Sequence, residues 1–280
     1  MGHDIVTAVN YYDDPGDGSP PTPVYVESAR VINERPMIPV TVTVTDVTGQ
    51  ERSFTLDSHG FQYHSHTSQV KGFHDAQVIL DKYYPECEEL LKEVTGAARV
   101  AVFDHKVRRG PAYWHSLGEN NTKSRGPLHR AHVDQSYDGA VMRLREHFPD
   151  EADQLMKRRW QIINIWRPIS VITSSPLAVA DGTTVPDSDL VAASAIFART
   201  GKRRETWTVK ANPEAHRWYY KHGQRPDEVI LIKCFDSVRD GEIPTVRARR
   251  APHSAVEYPG DEGKGNCWRE SVEARCLVFY

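Results

Sequence analysis

The stretch that decides the fold is Trp160-Gln161-Ile162-Ile163-Asn164-Ile165-Trp166, in which branched and aromatic side chains dominate. Residues of these types are enriched in β-strands. Similar runs, separated by Gly, Pro and Asp turns, follow at residues 205–209, 228–235 and 271–280. Repeated short runs bounded by turn residues are typical of antiparallel β-structure. We therefore expect the second half of the chain to be largely β.

Helical signals lie in the first half of the chain. Apolar residues recur at helical spacing between residues 73 and 94, Pro85 interrupts the run, and Gly96 provides a C-terminal stop. We therefore predict two short helices there. A third amphipathic helix is predicted over residues 141–148, immediately before Pro149.

The remaining N-terminal segments are predicted as a surface arm and a hairpin. Residues 1–35, which include a dense run of turn formers, are expected to lie over the surface as an arm. Residues 40–44 and 54–56 are expected to pair as a hairpin, and residues 99–103 to form a strand. Helices followed by strands predict a mainly β fold with flanking helices, a double-stranded β-helix or jelly roll, as a single domain over residues 1–280.

Composition restricts the classes of function. Of the 280 residues, 39% are hydrophobic and 26% charged, the formal net charge is -3, and the basic residues are scattered. We therefore expect a small-molecule substrate and no nucleic acid partner. No apolar run approaches the roughly 20 residues of a membrane helix. The four cysteines show no CxxC spacing and no signal peptide is recognisable, so a cytoplasmic location is expected.

A metal-binding pattern stands at His132-Val133-Asp134. Alternate residues of a strand project to the same face, so this pair presents an imidazole and a carboxylate together. Two histidines and one carboxylate form the facial triad of non-haem iron(II) oxygenases. Of the 13 histidines, only His132 has a carboxylate two residues later. Chance would produce about one or two such pairs, so the alternative of a polar loop pair stays open for this motif alone.

The third ligand is expected far downstream, where His216, His222 and His253 are candidates. Enzymes that use 2-oxoglutarate hold its distal carboxylate with a cation, often together with a hydroxyl. Arg269 and Ser271 lie on one face of the last predicted strand and follow only His253 at a suitable distance. We therefore predict His132, Asp134 and His253 as the iron ligands. The alternative for Arg269 is a surface cation facing Glu273.

Motifs in order along almost the whole chain resemble a known family. They lie at residues 9–12, 17–21, 56–61, 83–86, 95–98, 102–105, 132–136, 164–169, 226–229, 234–237, 252–255 and 269–275. The chain resembles the AsaB/CmcJ/gibberellin desaturase-like hydroxylase/desaturase family of non-haem Fe(II)/2-oxoglutarate-dependent dioxygenases. The resemblance implies a jelly-roll oxygenase of specialised metabolism. It also implies Fe(II), 2-oxoglutarate and O2 as cofactor and cosubstrates, with hydroxylation or desaturation as the outcome.

Further residues are predicted around the metal. Asn164 and Trp166 share a strand face, so Asn164 is expected to contact the cosubstrate and Trp166 the substrate. Core packing is the alternative for both. Tyr113 and Trp114 lie in a long glycine-flanked segment that is predicted to contact substrate as a lid, with a surface excursion as the alternative.

Two rival functions remain open at this point. A zinc-dependent hydrolase would also use two histidines and a carboxylate, but it has no required role for Arg269 and Ser271. A non-catalytic partner subunit of a related oxygenase would keep the fold without needing the ligands. A homodimer or a heterodimer with a related subunit also remains open.

Overall fold

The predicted β runs pair into two sheets in a computed structural model, which describes residues 2–26, 35–111, 125–197, 200–259 and 268–280. The strands are β1 (Ile5–Tyr12), β2 (Val24–Val26), β3 (Met37–Asp46), β4 (Phe61–Ser65), β5 (Arg99–Arg109), β6 (His132–Val133), β7 (Trp160–Pro168), β8 (Leu177–Ala180), β9 (Leu190–Phe197), β10 (Arg203–Val209), β11 (Trp218–Tyr220), β12 (Glu228–Asp236), β13 (His253–Ala255) and β14 (Glu270–Phe279). The larger sheet has the order β1-β3-β11-β8-β13-β6-β10-β9-β2, and the smaller sheet has the order β4-β12-β7-β14-β5.

Strand β7 is the centre of the smaller sheet and is buried along its whole length. Its side chains point alternately to the two faces of the sheet. Ile163 and Ile165 pack on the outer face against the helical layer. Ile162 and Trp166 point the other way, toward residues of the larger sheet. This strand therefore separates two hydrophobic cores, as its nearly continuous apolar sequence predicts.

The helical layer covers the outer face of the smaller sheet. Its elements are α1 (Ala76–Val78), a π-helical segment (Ile79–Tyr83) and α2 (Tyr84–Thr95), and the chain continues later with α3 (Tyr137–His147) and α4 (Ala152–Leu155). Pro85 is the second residue of α2, directly after the π-helical segment. Gly96 ends α2 with a φ of 70°, a left-handed conformation that favours glycine. Within the described residues, 3-10 turns lie at Glu51–Ser53, Gly182–Thr184 and Asp187–Asp189.

Two N-terminal predictions were wrong. Residues 5–12 do not form part of a surface arm but are strand β1, which pairs along its whole length with β3, and Tyr11 is fully buried. The predicted hairpin is also absent, because β3 pairs with β1 and β11 while residues 54–56 form no strand. In both cases the actual partner strand is distant in sequence, so local turn signals did not reveal it.

The two sheets face each other across a shared core, and this confirms the jelly-roll prediction. Phe61, Trp166 and Ile232 of the smaller sheet cluster with Leu177 and Val179 of the larger one. The sandwich brings β6 and β13, near the middle of the larger sheet, opposite β7 and β14. No helix in the described part of the chain has the length and apolar character needed to cross a membrane.

Candidate metal centre

Strand pairing brings the two predicted histidine ligands together. His132 on β6 and His253 on β13 are direct partners in an antiparallel register, and their ring centroids are 4.4 Å apart. Asp134 follows immediately after β6. One ligand atom from each of these three residues lies within 4.8 Å of the other two. The three side chains therefore form a compact group that can hold one metal ion.

Backbone carbonyls fix the orientation of both imidazoles. His132 Nδ1 donates to the carbonyl of Arg130 at 2.9 Å, and His253 Nδ1 donates to the carbonyl of Ala251 at 3.3 Å. In each ring the remaining nitrogen, Nε2, is then left to coordinate a metal. Nε2 of His132 lies 3.5 Å from Oδ1 of Asp134. The tautomers required for metal binding are thus set by local backbone contacts.

The carboxylate of Asp134 is held from its far side. Its Oδ2 accepts hydrogen bonds from Asn164 Nδ2 and from Arg275 Nε, both at 2.8 Å. Arg275 also pairs with Glu273 at 2.7 Å and with Asp104 at 2.9 Å. With Oδ2 engaged, Oδ1 is the oxygen directed toward the histidines. Such outer contacts orient a ligand and influence metal affinity.

A helix start supports the segment that follows Asp134. Ser136 caps α3 by accepting a hydrogen bond from the N–H of Gly139 at 2.8 Å, and it donates to Glu205 at 2.6 Å. Gly139 lies so close to β10 that an added Cβ would be 2.1 Å from the carbonyl oxygen of Glu205. Helix α3 is therefore tied to β10 directly beside the ligand group.

The electrostatics favour the ligand forms of both groups. Burial, reinforced by His253, lowers the pKa of His132 to about 4, so the imidazole is neutral near neutral pH. Burial alone would raise the pKa of Asp134, but Arg275 and His132 outweigh it and hold that pKa well below its usual range. A neutral imidazole and an ionised carboxylate are the species that bind a metal.

A buried cation lies at the head of β14. Arg269 is 4% exposed, its guanidinium carbon lies 5.3 Å from the Trp166 ring centroid, and Nη1 donates to the carbonyl of Ser175 at 2.8 Å. Among the described residues, no carboxylate lies within ion-pair distance of it. Burial, together with the nearby Arg108, lowers the pKa of Arg269 to about 9. A buried charge without a counter-ion is unfavourable unless a ligand supplies one.

The other predicted site residues lie in the core, but Asn164 and Trp166 make contacts other than those expected. Ser271 is 1% exposed and lies two residues beyond Arg269 on the same strand face. Asn164 contacts the carboxylate of Asp134, whereas a cosubstrate contact was predicted. Trp166 is 2% exposed and packs between the sheets under the Arg269 guanidinium.

Tyr113 and Trp114, the other predicted substrate contacts, lie outside the described residues. The rejected candidate His216 is buried among Tyr11 and Asp189, away from the ligand group. His105, which belongs to one of the family motifs, accepts or donates a hydrogen bond with the Tyr84 hydroxyl at 2.9 Å. Neither histidine belongs to the group formed around Asp134.

Arg275 is the residue that sequence reasoning missed. Its pairing with Glu273, two residues away on the same strand face, is present at 2.7 Å. Its contact with Asp134 crosses from one sheet to the other, next to a register shift between Arg275 and Cys276. Spacing along one strand carries no signal of a partner on another sheet. The only available signal was a second arginine on the strand face that carries Arg269.

Comparison with known proteins shows relatives over almost the whole chain. Residues 9–279 match the family described as Oxidoreductase/YMDC permease-like domain. The hydroxylase/desaturase efuI of Hormonema carpetanum is 37% identical over 297 residues, covering 99% of this chain and 95% of that protein. The hydroxylase/desaturase CTB9 of Cercospora beticola is 38% identical, covering 86% of this chain and 76% of that protein. The alpha-ketoglutarate-dependent dioxygenase phiK of a fungal species is 34% identical, with coverages of 82% and 81%.

A solved structure shares the fold. The iron and alpha-ketoglutarate-dependent endoperoxidase NvfI superposes with a TM-score of 0.81 at 24% sequence identity, covering 100% of this chain and 97% of that one. At this identity the likeness supports the jelly-roll architecture. The sequence relatives carry the assignment further: the chain belongs to the Oxidoreductase/YMDC permease-like family, together with these hydroxylase/desaturases and alpha-ketoglutarate-dependent dioxygenases.

Proposed function

We propose that this protein is an Fe(II)- and 2-oxoglutarate-dependent dioxygenase that hydroxylates or desaturates a small-molecule intermediate of secondary metabolism. Relatives named hydroxylase/desaturase and alpha-ketoglutarate-dependent dioxygenase support the class. One structural observation carries the proposal. A group of two histidines and one aspartate occurs together with a buried arginine, Arg269, that has no carboxylate within ion-pair distance among the described residues.

The residues divide into a metal-holding set and a cosubstrate-holding set. His132, Asp134 and His253 would hold the ferrous ion through three ligand atoms, leaving its other positions for small molecules. Arg269 would bind the distal carboxylate of 2-oxoglutarate, and Ser271 would add a hydroxyl from the same strand face. Bound iron with 2-oxoglutarate and O2 supplies oxidation of a substrate C–H bond, coupled to decarboxylation of the cosubstrate to succinate.

The protein orients these groups and keeps water away from them. Asn164 and Arg275 hold Oδ2 of Asp134, so its other oxygen stays directed toward the metal position. Trp166 lies against the Arg269 guanidinium and limits the directions in which that side chain can turn. The cosubstrate carboxylate would therefore meet a preformed and desolvated cation, where charge-assisted contacts are strong.

The rival functions explain less of this arrangement. A zinc hydrolase would use the triad, yet it would leave Arg269 buried without a counter-ion or a role. A non-catalytic subunit would need neither the carbonyl contacts that set both tautomers nor the two donors on Asp134. The dioxygenase is the function that uses all of these contacts.

The test is anaerobic loading with Fe(II) followed by titration with 2-oxoglutarate. We expect a weak visible charge-transfer absorption on addition of the cosubstrate, and slow succinate formation once oxygen is admitted. Full iron loading with no absorption change and no succinate would exclude the proposal. Hydrolytic turnover of model esters by the zinc-loaded protein would instead support the hydrolase.

We also propose that residues 1–280 act as one catalytic domain in the cytoplasm, without a nucleic acid partner. The described cysteines Cys87, Cys234 and Cys276 are free and buried, in keeping with a reducing compartment. A homodimer or a heterodimer with a related subunit is the proposed assembly. Light scattering of the purified protein, alone and mixed with a related oxygenase, distinguishes these assemblies from a monomer.

A further inference from the structure

A cavity of about 330 Å³ opens beside the metal centre, between α3, β9 and β10. Asp134 and Arg275 line its inner end, and Asp134 is the one proposed metal ligand in that lining, so a molecule held there lies beside the Asp134 carboxylate. Met142, Ala195 and Phe197 give it an apolar side. The volume falls within the range of small-ligand pockets, roughly 300–1,000 Å³. We call this space the α3–β10 cavity.

Positive charge exceeds negative charge on one side of the α3–β10 cavity. Three cations share the single carboxylate of Glu146, with N–O distances of 3.2 Å from Arg143, 2.9 Å from Lys202 and 3.8 Å from Arg204. One carboxylate balances only one of these three charges. An excess of about two positive charges therefore lies at this side of the cavity.

The other charges that line the cavity are already balanced. Arg203 pairs with Glu205 at 2.7 Å. Arg275 engages Asp134 and two further carboxylates, which together offset both its charge and that of a bound divalent metal. The positive excess is thus confined to the part of the cavity formed by α3 and the start of β10.

Packing against aromatic rings holds two of these cations, Arg204 and Arg143, in place before any ligand binds. Arg204 lies 4.5 Å above the Phe197 ring centroid, and Arg143, which is 7% exposed, lies 5.4 Å from the ring centroid of Phe103. Two polar atoms on the same wall lack hydrogen-bond partners within the described part of the chain. They are Nε of Arg204 and Oε1 of Gln135, whose side chain is 3% exposed. Buried polar groups beside a cavity that lack hydrogen-bond partners are explained if a bound ligand supplies those partners.

We propose that the α3–β10 cavity binds an anionic group of the substrate, with a carboxylate as the simplest case, and so holds the attached carbon skeleton beside Asp134. Arg204 and Arg143 supply the positive charge, Gln135 accepts a hydrogen bond from a neighbouring hydroxyl, and Met142 and Phe197 contact the carbon skeleton. This inference rests on the proposed function. It adds that the substrate of this enzyme is an acid and not a neutral compound.

The test compares benzoate with benzamide, a neutral molecule of nearly the same shape. The protein is loaded with Mn(II) in place of iron and saturated with 2-oxoglutarate, so that benzoate cannot simply occupy the Arg269 position. Ligand-observed NMR then measures binding, and relaxation by Mn(II) reports nearness to the metal. We expect benzoate to bind at least about tenfold more tightly than benzamide, because one charge-assisted contact contributes about 1.5 kcal/mol.

Three variants assign the binding to this cavity. Arg204→Gln should weaken benzoate binding about tenfold, whereas Glu146→Gln should tighten it because a competing carboxylate is removed. Arg145→Gln is the matched control, since Arg145 lies on the same helix but pairs with Asp153 at 2.7 Å outside the cavity. Its benzoate affinity should equal that of the unaltered protein.

The outcomes separate this inference from the dioxygenase assignment. Benzamide binding as tightly as benzoate, no benzoate binding at tens of millimolar, or no effect of Arg204→Gln would each overturn the anionic subsite. None of these results would contradict the proposed binding of iron and 2-oxoglutarate. Failure of the protein to bind Mn(II) and 2-oxoglutarate would instead overturn the proposed function. In that case a loss of benzoate binding in Arg204→Gln, with no loss in Arg145→Gln, would still support the subsite.

Discussion

Replacing Arg269 by glutamine should weaken 2-oxoglutarate binding steeply while leaving the metal in place. The guanidinium is 4% exposed and has no carboxylate partner among the described residues, so its contact with the cosubstrate would be desolvated. Truncating such a buried charged contact costs roughly 2–5 kcal/mol, or about 30-fold to 4,000-fold in affinity. A solvent-exposed pair would cost only about 0.2–1 kcal/mol, at most about fivefold. The size of the loss therefore reports whether Arg269 is the anchor.

The same substitution should not destabilise the protein without its cosubstrate. Burial disfavours the charged form of Arg269, so removing that charge offsets the packing lost over Trp166. We expect the melting temperature of the ligand-free variant to equal or exceed that of the unaltered protein. The added stability that 2-oxoglutarate normally confers by binding the folded state should disappear at the same concentration.

Anaerobic calorimetric titration of 2-oxoglutarate into the Fe(II) protein measures the affinity, and thermal unfolding with and without the cosubstrate measures the stability. Arg145→Gln is a suitable control because Arg145 is exposed and pairs with Asp153 outside the site. If Arg269→Gln binds 2-oxoglutarate within threefold of the unaltered protein at equal iron content, the anchor assignment is wrong.

Five further substitutions test the metal centre. Asp134→Ala should abolish iron retention and turnover, and undiminished iron content after anaerobic loading would remove Asp134 from the ligand set. His253→Ala should lose iron while His216→Ala keeps it, since His216 is hydrogen-bonded to Tyr11 and Asp189 instead. Metal analysis that shows the reverse pattern would overturn the choice of His253 as the third ligand. Arg275→Gln should weaken iron binding about 10-fold to 100-fold and lower the free energy of unfolding by about 3–5 kcal/mol, because three carboxylates lose their shared cation. Metal titration measures the first effect and chemical denaturation the second. Values equal to those of the unaltered protein in both measurements would contradict this prediction. Asn164→Ala should weaken iron binding less than Arg275→Gln does, because Arg275 still holds Oδ2 of Asp134. Competition with a chelator measures the iron affinity of both variants. A lower affinity in Asn164→Ala than in Arg275→Gln would contradict this order.

Local sequence signals were sufficient for elements whose pattern lies within one segment. The strand at 160–168 was visible in its run of branched and aromatic residues, and the end of α2 was visible in Gly96. Strand β1 was missed because its partner, β3, lies more than twenty residues away and the intervening turn formers suggested an exposed arm. β-propensity is a property of one segment, whereas strand pairing depends on two segments.

The candidate site divides in the same way. Alternation along β14 places Arg269, Ser271, Glu273 and Arg275 on one face, and the pairing of Arg275 with Glu273 is consistent with that alternation. Alternation could not show that the same arginine also reaches Asp134, because that contact joins two sheets. The redirection of Asn164 from the cosubstrate to Asp134 has the same origin.

By itself the sequence determined the chemical inventory of this protein: one His-x-Asp pair, a distant histidine and a terminal Arg-x-Ser, set in a chain rich in β-forming residues. Only the tertiary structure decided which atoms face one another. The register of β6 against β13 set His132 opposite His253, and the stacking of two sheets brought Arg275 and Asn164 onto Asp134. The excess of positive charge in the α3–β10 cavity likewise arises from packing α3 against β10. Residue type is local information, but a site is a set of distances, and those are fixed by long-range pairing and burial.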